Sequence, residues 1–352
     1  MRVLDYRASV TGQGLGGANV AYSVAVMIPA KNAQATVGRA VASALADPEA
    51  CQVVLIDDGS TDGTVRAARQ AAGGSERLVV RSLRVSGGPA AARNMAIAMT
   101  DAPWICPLDA DDFFQPGRLG RLLAQAEGCD FVADDLLMVR EGAEAGPARQ
   151  VIGAREPLPI TLDFTGFLEA NISRPGMARR EYGFLKPLMR RAFLVEHQLA
   201  YDESLRLGED VILYSAALGH GAVFKVVPPC GYVAVERAGS LSGRHTTHDL
   251  RALRDASARL LALPGLTARE QLAVQRHVRH LQAKVDLREV LDARREGGLA
   301  RGVMAIAART PSAPYIFARM AEDKWSLLRA RRSGAAFRKA GPGLAVRTRS
   351  NF

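Results

Sequence analysis

One stretch decides the fold, Trp104-Ile105-Cys106-Pro107-Leu108-Asp109-Ala110-Asp111-Asp112. Its apolar first half predicts a short buried strand, and three carboxylates follow the strand at once. In open α/β sheets, ligands bind outside the carboxyl ends of the strands. Carboxylates clustered there repel one another unless they share a cation. The acids therefore predict a divalent-metal site for a diphosphate, and the alternative is a solvated loop.

Apolar runs alternate with helical segments upstream of this stretch. Strands are predicted at residues 24–29, 52–56 and 78–83, and helices at 36–46, 65–72 and 86–99. Such alternation predicts a parallel sheet covered by helices. Further along, Gly208-Glu209-Asp210 opens an apolar helix over residues 211–218.

Four segments occur in the order of a known family. They are Ile28-Pro29-Ala30-Lys31-Asn32, Ile56-Asp57-Asp58-Gly59-Ser60-Thr61-Asp62, Gly87-Gly88-Pro89-Ala90-Ala91-Ala92-Arg93-Asn94 and Leu108-Asp109-Ala110-Asp111-Asp112. Over residues 22–245 the chain resembles the inverting family 2 glycosyltransferases. The resemblance implies the GT-A fold, an α/β architecture with a Rossmann-like, mostly parallel central sheet flanked by helices. It also implies a nucleotide-diphosphate-sugar donor. Residues 184–242 most resemble bacterial exopolysaccharide transferases of the succinoglycan type.

The resemblance assigns a nucleotide-sugar site to the first half of the chain. Pro29, Ala30 and Asn32 would line the nucleotide pocket, and Asp58 would accept a hydrogen bond from the uracil N3–H. Arg93 would reach the uracil or the diphosphate, with Asn94 supporting the same loop. Read from the residues alone, Asp57 and Asp58 are turn and cap residues, and Asp62 is a helix cap.

The same resemblance assigns the metal, which would be Mn²⁺ or Mg²⁺. Asp111 would bind it directly, Asp109 would contact the ribose or a metal-bound water, and Asp112 would position the metal ligands without touching the metal or be solvated. His245 is the candidate for a further metal ligand, with His248 as the weaker choice. Both histidines could instead be surface residues.

An inverting transfer also needs a general base on the face opposite the diphosphate, because the acceptor hydroxyl loses its proton as it attacks. Asp210 is the predicted base. Glu209 is the second choice for the base, or a partner that positions the acceptor. The competing interpretation is an ordinary acidic helix start, which the helix dipole favours. Lys186 is a candidate to face the acceptor or a phosphate.

Composition is consistent with an enzyme of the cytoplasm. The 352 residues carry a formal charge of +10, and the four cysteines are scattered without a Cys-x-x-Cys pair. We therefore expect buried thiols in a reducing compartment. We also expect neither a signal peptide nor a membrane span.

The chain divides into four predicted parts. Residues 1–20 form a flexible arm, and 21–248 form the GT-A domain, with a nucleotide-sugar half at about 21–115 and an acceptor half at about 116–248. Residues 249–325 form a helical extension that packs on the catalytic domain or on a second subunit, which would give a homodimer. Residues 326–352 form a basic tail suited to the anionic inner face of the cytoplasmic membrane, with a solvated tail as the alternative.

These features predict a metal-dependent inverting hexosyltransferase that uses a UDP-sugar, with UDP-glucose the first choice. Its acceptor would be a growing, lipid-linked oligosaccharide in bacterial exopolysaccharide synthesis. Another cell-surface polysaccharide with a different nucleotide sugar is the alternative, and a nucleotidyltransferase is less favoured because the turn after residue 29 lacks a Gly-rich loop. We expect no nucleic-acid partner, because the positive charge lies in a tail with few aromatic residues.

Overall fold

A computed structural model of the chain describes residues 23–144, 146–153, 157–173, 182–237, 246–319 and 321. Its strands are β1 Val24–Ala30, β2 Ala50–Asp57, β3 Leu78–Ser82, β4 Trp104–Pro107, β5 Phe113–Phe114, β6 Phe131–Asp134, β7 Leu137–Arg140, β8 Arg149–Gln150, β9 Ile160–Leu162, β10 Leu188–Arg190, β11 Phe224–Val227 and β12 Tyr232–Glu236. Its longer helices are α1 Val37–Leu45, α2 Thr64–Ala72, α3 Gly88–Ala98, α4 Arg118–Leu123, α5 Phe164–Ala170, α6 Arg191–Glu196, α7 Glu209–Gly219, α8 Thr247–Arg259 and α9 Ala268–Ala307.

The first half of the chain forms the predicted parallel sheet. Strands β3, β2, β1 and β4 lie side by side in that order and are all parallel. Helix α1 buries Val37, Ala40, Val41 and Ala44, the face that the sequence spacing predicts. Because the four strands are parallel, the loops that follow them lie at one edge of the sheet. The acids after β4 therefore lie beside the turn after β1 and at the same edge as the turn after β2.

Beyond β4 the large sheet becomes mixed. Strand β10 lies between β4 and β6 and is antiparallel to both, while β11 is parallel to β6 and β9 closes the far edge. In the register, Met189 pairs with Ile105 and Arg190 with Trp104. The residues just before β10 therefore lie at the edge where β4 ends. This arrangement brings Lys186 next to Asp109.

A second sheet, with the strand order β5-β12-β7-β8, begins directly after the acidic loop of residues 108–112. Phe114 of β5 pairs with Tyr232 of β12, and the two rings lie 5.8 Å apart between centroids. The acidic loop thus connects the two sheets. The sequence does not predict this small sheet, whose strands are short and lack the long apolar runs of β1 and β2.

Two long helices follow the sheets and pack on α5 and α7. Helices α8 and α9 begin with capping boxes, Thr246 with Asp249 and Thr267 with Glu270. Helix α9 lies against α5, and its Ala273 and Val274 belong to the main hydrophobic core. Packing on the catalytic part is one of the two predicted arrangements. The domain boundaries and the homodimer stay predictions.

The sequence also makes predictions about the cysteines, about membrane spans and about the two chain ends. All four cysteines are free, with Cys106 and Cys129 buried and Cys51 and Cys230 half-buried. In the described ranges, no helix has the length and apolar character needed to cross a membrane. The N-terminal arm and the basic tail lie outside the described residues.

Candidate functional site

Five charged side chains meet at the carboxyl edge of the sheet. Arg93 Nη1 lies 2.6 Å from Glu209 Oε1, and Arg93 Nη2 lies 2.9 Å from Asp109 Oδ1. Lys186 Nζ lies 2.8 Å from Asp210 Oδ2 and 3.3 Å from Asp109 Oδ2. We call these five residues the charged cluster. It joins the acidic loop, α3, the approach to β10 and the start of α7.

The start of α7 is fixed by Gly208. Its φ of 77° is in the left-handed region, which glycine adopts without the strain of a side chain. A Cβ at this position would meet Leu253 Cδ1 of α8 at 2.8 Å, so the close approach also requires glycine. Glu209 and Asp210 follow in the first helical turn, where the helix dipole stabilises carboxylates. The same geometry turns both acids toward Arg93 and Lys186.

Mutual attraction favours the charged forms of Asp109 and Lys186 within the charged cluster. Burial raises the pKa of Asp109, but Lys186 and Arg93 outweigh this effect and lower the pKa to about 2. Burial lowers the pKa of Lys186, but Asp109 and Asp210 more than compensate and raise it. Burial raises the pKa of Glu209, and Arg93 offsets the change only in part. At neutral pH the site therefore presents two fixed cations beside carboxylates.

Asp210 retains an unused acceptor in this cluster. Its Oδ2 accepts a hydrogen bond from Lys186, whereas its Oδ1 is buried and has no hydrogen-bond partner in the described part of the chain. The closest cationic atom recorded for Oδ1 is Arg93 Nη1 at 3.9 Å. A buried acceptor without a partner is costly, and such atoms in a polar cleft indicate a bound group. Asp210 Oδ1 can therefore accept a hydrogen bond from a further donor.

Tyr201 is a site residue that the sequence does not predict. Its ring lies 5.4 Å from the Arg93 guanidinium carbon, and its backbone N–H donates to Asn94 Oδ1 at 2.9 Å. Among the described residues, the Tyr201 hydroxyl and Arg93 Nε are further buried polar atoms without a hydrogen-bond partner. Asn94 also donates to the Tyr201 carbonyl and to Glu203. Asn94 thus supports the loop at 201–203, whereas its support of the 87–89 loop stays a prediction.

The acidic loop is tied to β12 by Asp112. The Tyr232 hydroxyl donates to Asp112 Oδ2 at 2.8 Å, and Val235 N–H donates to Asp112 Oδ1 at 2.9 Å. The Asp109 N–H donates to the same Tyr232 hydroxyl at 3.2 Å. Burial, with Asp109 and Asp111 nearby, raises the pKa of Asp112 to about 8. Asp112 is therefore a buried support of the loop, and the solvated alternative is wrong.

Behind the loop, a fully buried ion pair fixes the strand ends. Arg118 donates to Asp134 Oδ1 at 2.6 Å, and both side chains are inaccessible to solvent. Asp134 Oδ2 accepts the N–H groups of Cys230 and Tyr232, each at 3.0 Å. A buried pair is stable only when the remaining donors and acceptors are satisfied, as they are here. The pair holds β12 in place for its contact with Asp112.

Asp111 faces the outside of the loop and fits a metal that arrives with a diphosphate. Its side chain is 42% exposed, and its only ion pair in the described residues is a 3.9 Å approach from Arg237 Nε. Burial and the charge of Asp109 raise the pKa of Asp111, and Arg237 and Lys186 offset this change only in part. One carboxylate plus phosphate oxygens is a donor set that Mg²⁺ accepts.

The protein alone does not provide a complete metal site in the described ranges. No group there of three or more His, Cys, Asp and Glu side chains is arranged to hold an ion. His245 lies outside the described residues. His248 is exposed in the first turn of α8. The role of His245 as a metal ligand stays a prediction.

Asp58 holds the turn after β2 against the start of α3. It accepts hydrogen bonds from the Ser86 hydroxyl at 2.6 Å and from the N–H groups of Gly87 and Gly88 at 2.7 and 3.0 Å. Its own N–H donates to the carbonyl of Ala30 at 2.8 Å. A carboxylate has about four acceptor positions, so one more donor can still bind. The turn interpretation and the uracil interpretation of Asp58 are compatible.

The other predicted nucleotide residues lie around this turn. Asn32 has a φ of 48°, donates its N–H to Ser60 Oγ and accepts the Thr61 N–H, both at 2.9 Å. Pro29 is half-buried at the end of β1. Asp62 accepts from the N–H of Thr64, the first residue of α2, at 3.0 Å, but the N-cap residue of this helix is Gly63, so the prediction of Asp62 as the helix cap is wrong by one residue.

Comparisons with known proteins show what the chain is similar to. Residues 25–180 match the model of "Glycosyl transferase family 2". The chain is 48% identical over 320 residues to the succinoglycan biosynthesis protein ExoU of Rhizobium meliloti (strain 1021), covering 91% of this chain and 93% of that protein.

Two solved structures share the fold. S. aureus TarS 1–349 in complex with UDP has a TM-score of 0.57 and 17% identity, with 91% of this chain and 95% of that chain covered. The mannosyltransferase PcManGT from Pyrobaculum calidifontis, in complex with GDP-Man and Mn²⁺, has a TM-score of 0.50 and 16% identity, with 88% and 83% covered. The predicted GT-A fold is confirmed. Since one relative is 48% identical over nearly its whole length, the chain belongs to glycosyl transferase family 2.

Proposed function

We propose that the protein is a metal-dependent inverting hexosyltransferase in which Asp210 is the general base. The donor is a UDP-sugar, with UDP-glucose the first choice. One observation carries the proposal. Asp210 Oδ1 is a buried acceptor without a hydrogen-bond partner among the described residues, beside the charged cluster and the acidic loop.

The reaction is one displacement at the anomeric carbon. A bond forms from the acceptor oxygen to that carbon as its bond to the diphosphate oxygen breaks, and the acceptor proton passes to Asp210 Oδ1. Lys186 holds Asp210 Oδ2 at 2.8 Å and so fixes the carboxylate plane. Glu209 is committed to Arg93 at 2.6 Å, which favours Asp210 over Glu209 as the base.

Stabilisation of the departing diphosphate is the second requirement of the reaction. Asp109, held between Arg93 and Lys186, would orient the donor. Asp111 would hold the divalent ion, with His245 as a further ligand. When bound, the ion supplies Lewis-acid stabilisation of the diphosphate oxygens. Pro29, Ala30, Asn32 and Asp58 would line the nucleotide end.

The acceptor and pathway are proposed from the similarity to ExoU. A role in succinoglycan-type exopolysaccharide synthesis would make the acceptor a growing, lipid-linked oligosaccharide. Transfer to another cell-surface polysaccharide from a different nucleotide sugar is the alternative. The enzyme would act in the cytoplasm, at the inner face of the membrane.

A donor screen tests the proposal directly. UDP-, GDP- and TDP-sugars would each be added with Mn²⁺ or Mg²⁺, and thermal unfolding and release of free nucleotide diphosphate would be measured. The correct donor stabilises the folded state by mass action. We expect UDP-sugars to raise the Tm and to release UDP. Release of pyrophosphate would instead identify a nucleotidyltransferase, and stabilisation by GDP-sugars alone would overturn the choice of UDP.

Asp58→Ala tests the nucleotide end of the site. We expect the dissociation constant for UDP to rise by a factor that corresponds to about 1.5–3 kcal/mol, the range for a hydrogen bond to a charged group. Titration calorimetry with UDP would measure it. Because Asp58 also holds Gly87 and Gly88, Ser86→Ala is the matched control, since it removes one of the turn contacts and leaves the carboxylate. Equal losses in both variants would assign Asp58 to the turn alone.

The basic tail is proposed to hold the enzyme at the membrane. Residues 326–352 carry Arg329, Arg331, Arg332, Arg338, Lys339, Arg347 and Arg349 and no acidic residue. Each cation contributes about 1 kcal/mol near an anionic surface. We expect truncation before Lys324 to weaken sedimentation with anionic liposomes at low salt and to spare donor hydrolysis. Unchanged sedimentation would exclude the tail as the main contact.

A further inference from the structure

The last part of α9 has an exposed apolar face. After the break at Gly297 and Gly298, the helix resumes at residue 299. Leu299, Val303 and Met304 are 70%, 58% and 70% exposed, far more than apolar side chains in a packed helix. Two exposed alanines, Ala300 and Ala307, lie in the same segment. We call Leu299, Ala300, Val303, Met304 and Ala307 the apolar stripe.

Helical geometry places the apolar stripe on one side. At 3.6 residues per turn, its five positions cover an arc of about 140° along two turns. The opposite side packs back on the preceding part of α9. There Gly302 is buried, and Arg309 Nη2 lies 2.5 Å from Glu289 Oε2. The segment is thus anchored by polar contacts on its inner side and presents apolar side chains outward.

This orientation is the reverse of a helix on a solvated surface, whose outer side is polar. Contiguous exposed apolar patches mark binding surfaces for proteins or membranes. The charges near the apolar stripe favour a membrane over a protein as its partner. Arg301 is exposed in the same segment, Arg294 is exposed in the part of α9 before the break, and no acidic residue occurs from 297 to 321, whereas Glu296 directly precedes the break. A protein partner would need a larger patch, because a stable interface buries about 800 Å² on each side and two helical turns offer less.

We propose that the apolar stripe docks into the surface of a bilayer that contains anionic lipid. Its apolar side chains would enter the boundary between headgroups and acyl chains, and the neighbouring arginines would contact the headgroups. This contact differs from that proposed for the basic tail, since burial of apolar side chains is not screened by salt. It does not depend on the proposed reaction.

Liposome sedimentation of the full-length chain tests the stripe. The triple variant Leu299→Gln, Val303→Gln, Met304→Gln keeps the net charge and uses a good helix former. We expect wild-type protein to bind vesicles of phosphatidylcholine with 30% phosphatidylglycerol at 0.1 M salt, and to retain part of that binding at 1 M. The triple variant should bind at least about tenfold more weakly at both salt concentrations.

Matched controls distinguish the loss of the apolar stripe from the loss of exposed apolar side chains elsewhere on the surface. Val195→Gln with Leu272→Gln removes two other exposed apolar side chains and should bind like wild type. Thermal unfolding and UDP-sugar hydrolysis without vesicles should be unchanged in the triple variant, so a failure of the proposed reaction would be seen separately. Vesicle binding equal to wild type in the triple variant would overturn the proposal. So would a wild-type dimer in solution that the triple variant abolishes, because the stripe would then join two copies.

Discussion

Asp210→Asn is expected to lower the transfer rate by ~10²–10⁴ while UDP-sugar affinity stays within a few-fold of wild type. Asparagine is nearly isosteric, and its amide oxygen can still accept the hydrogen bond from Lys186 that holds Asp210 at 2.8 Å. It cannot take a proton from the acceptor hydroxyl. The measurements are single-turnover transfer with a saturating donor and calorimetric titration with UDP and metal.

Glu209→Gln is the matched control for this variant. Glu209 follows directly on Gly208, is equally buried and pairs with Arg93. Its replacement should disturb Arg93 and so affect donor binding as well as rate. A larger rate loss in Glu209→Gln than in Asp210→Asn, with donor binding intact, would assign the base to Glu209. Equal loss of binding and turnover in Asp210→Asn would make that residue structural.

Asp111→Ala is expected to abolish transfer and to remove the dependence of UDP binding on Mn²⁺ or Mg²⁺. Asp111 is the acid of the loop that faces outward and lacks a close cation among the described residues, so its loss deletes a direct carboxylate ligand. UDP titrations with metal and with excess chelator measure the effect without activity. In the variant the two titrations should coincide.

Asp112→Asn provides the contrast to Asp111→Ala. The pKa of Asp112 is raised to about 8, so a neutral side chain resembles its protonated state. Its contacts with Tyr232 and Val235 can largely be retained by an amide. We expect metal-dependent UDP binding to persist in Asp112→Asn. Full activity of wild-type protein in excess chelator would contradict the metal proposal as a whole.

The first half of the fold could be predicted because neighbouring residues along the chain determine its strands and turns. Runs such as Val24–Ala30 and Ala50–Asp57 are long and apolar, and the turns after them carry glycine and capping residues. Predicted and observed elements differ there by one or two residues at their ends. Parallel strands then place every loop at one edge, so the meeting of Asp58 with the 86–88 segment follows.

The second half could not be predicted in the same way, because its strands are short and paired with distant residues. Leu188–Arg190 has only three residues, and its position beside β4 depends on long-range pairing. That pairing explains why Lys186 contacts both Asp109 and Asp210, whereas the sequence indicates only an acceptor or a phosphate. Tyr201 carries no sequence signal at all, since its role depends on the backbone contact with Asn94.

The charged cluster has a consequence for engineering new specificities by exchanging segments between relatives. Arg93 and Asp109 would come from one parent, and Lys186, Glu209 and Asp210 from the other. The Arg93–Glu209 and Lys186–Asp109 ion pairs therefore run across the join. A chimera joined between residues 115 and 185 must therefore inherit compatible partners from both parents. A chimera without compatible partners would leave a buried charge unpaired. Its free energy of unfolding would fall by about 3–5 kcal/mol, whether or not substrate is present.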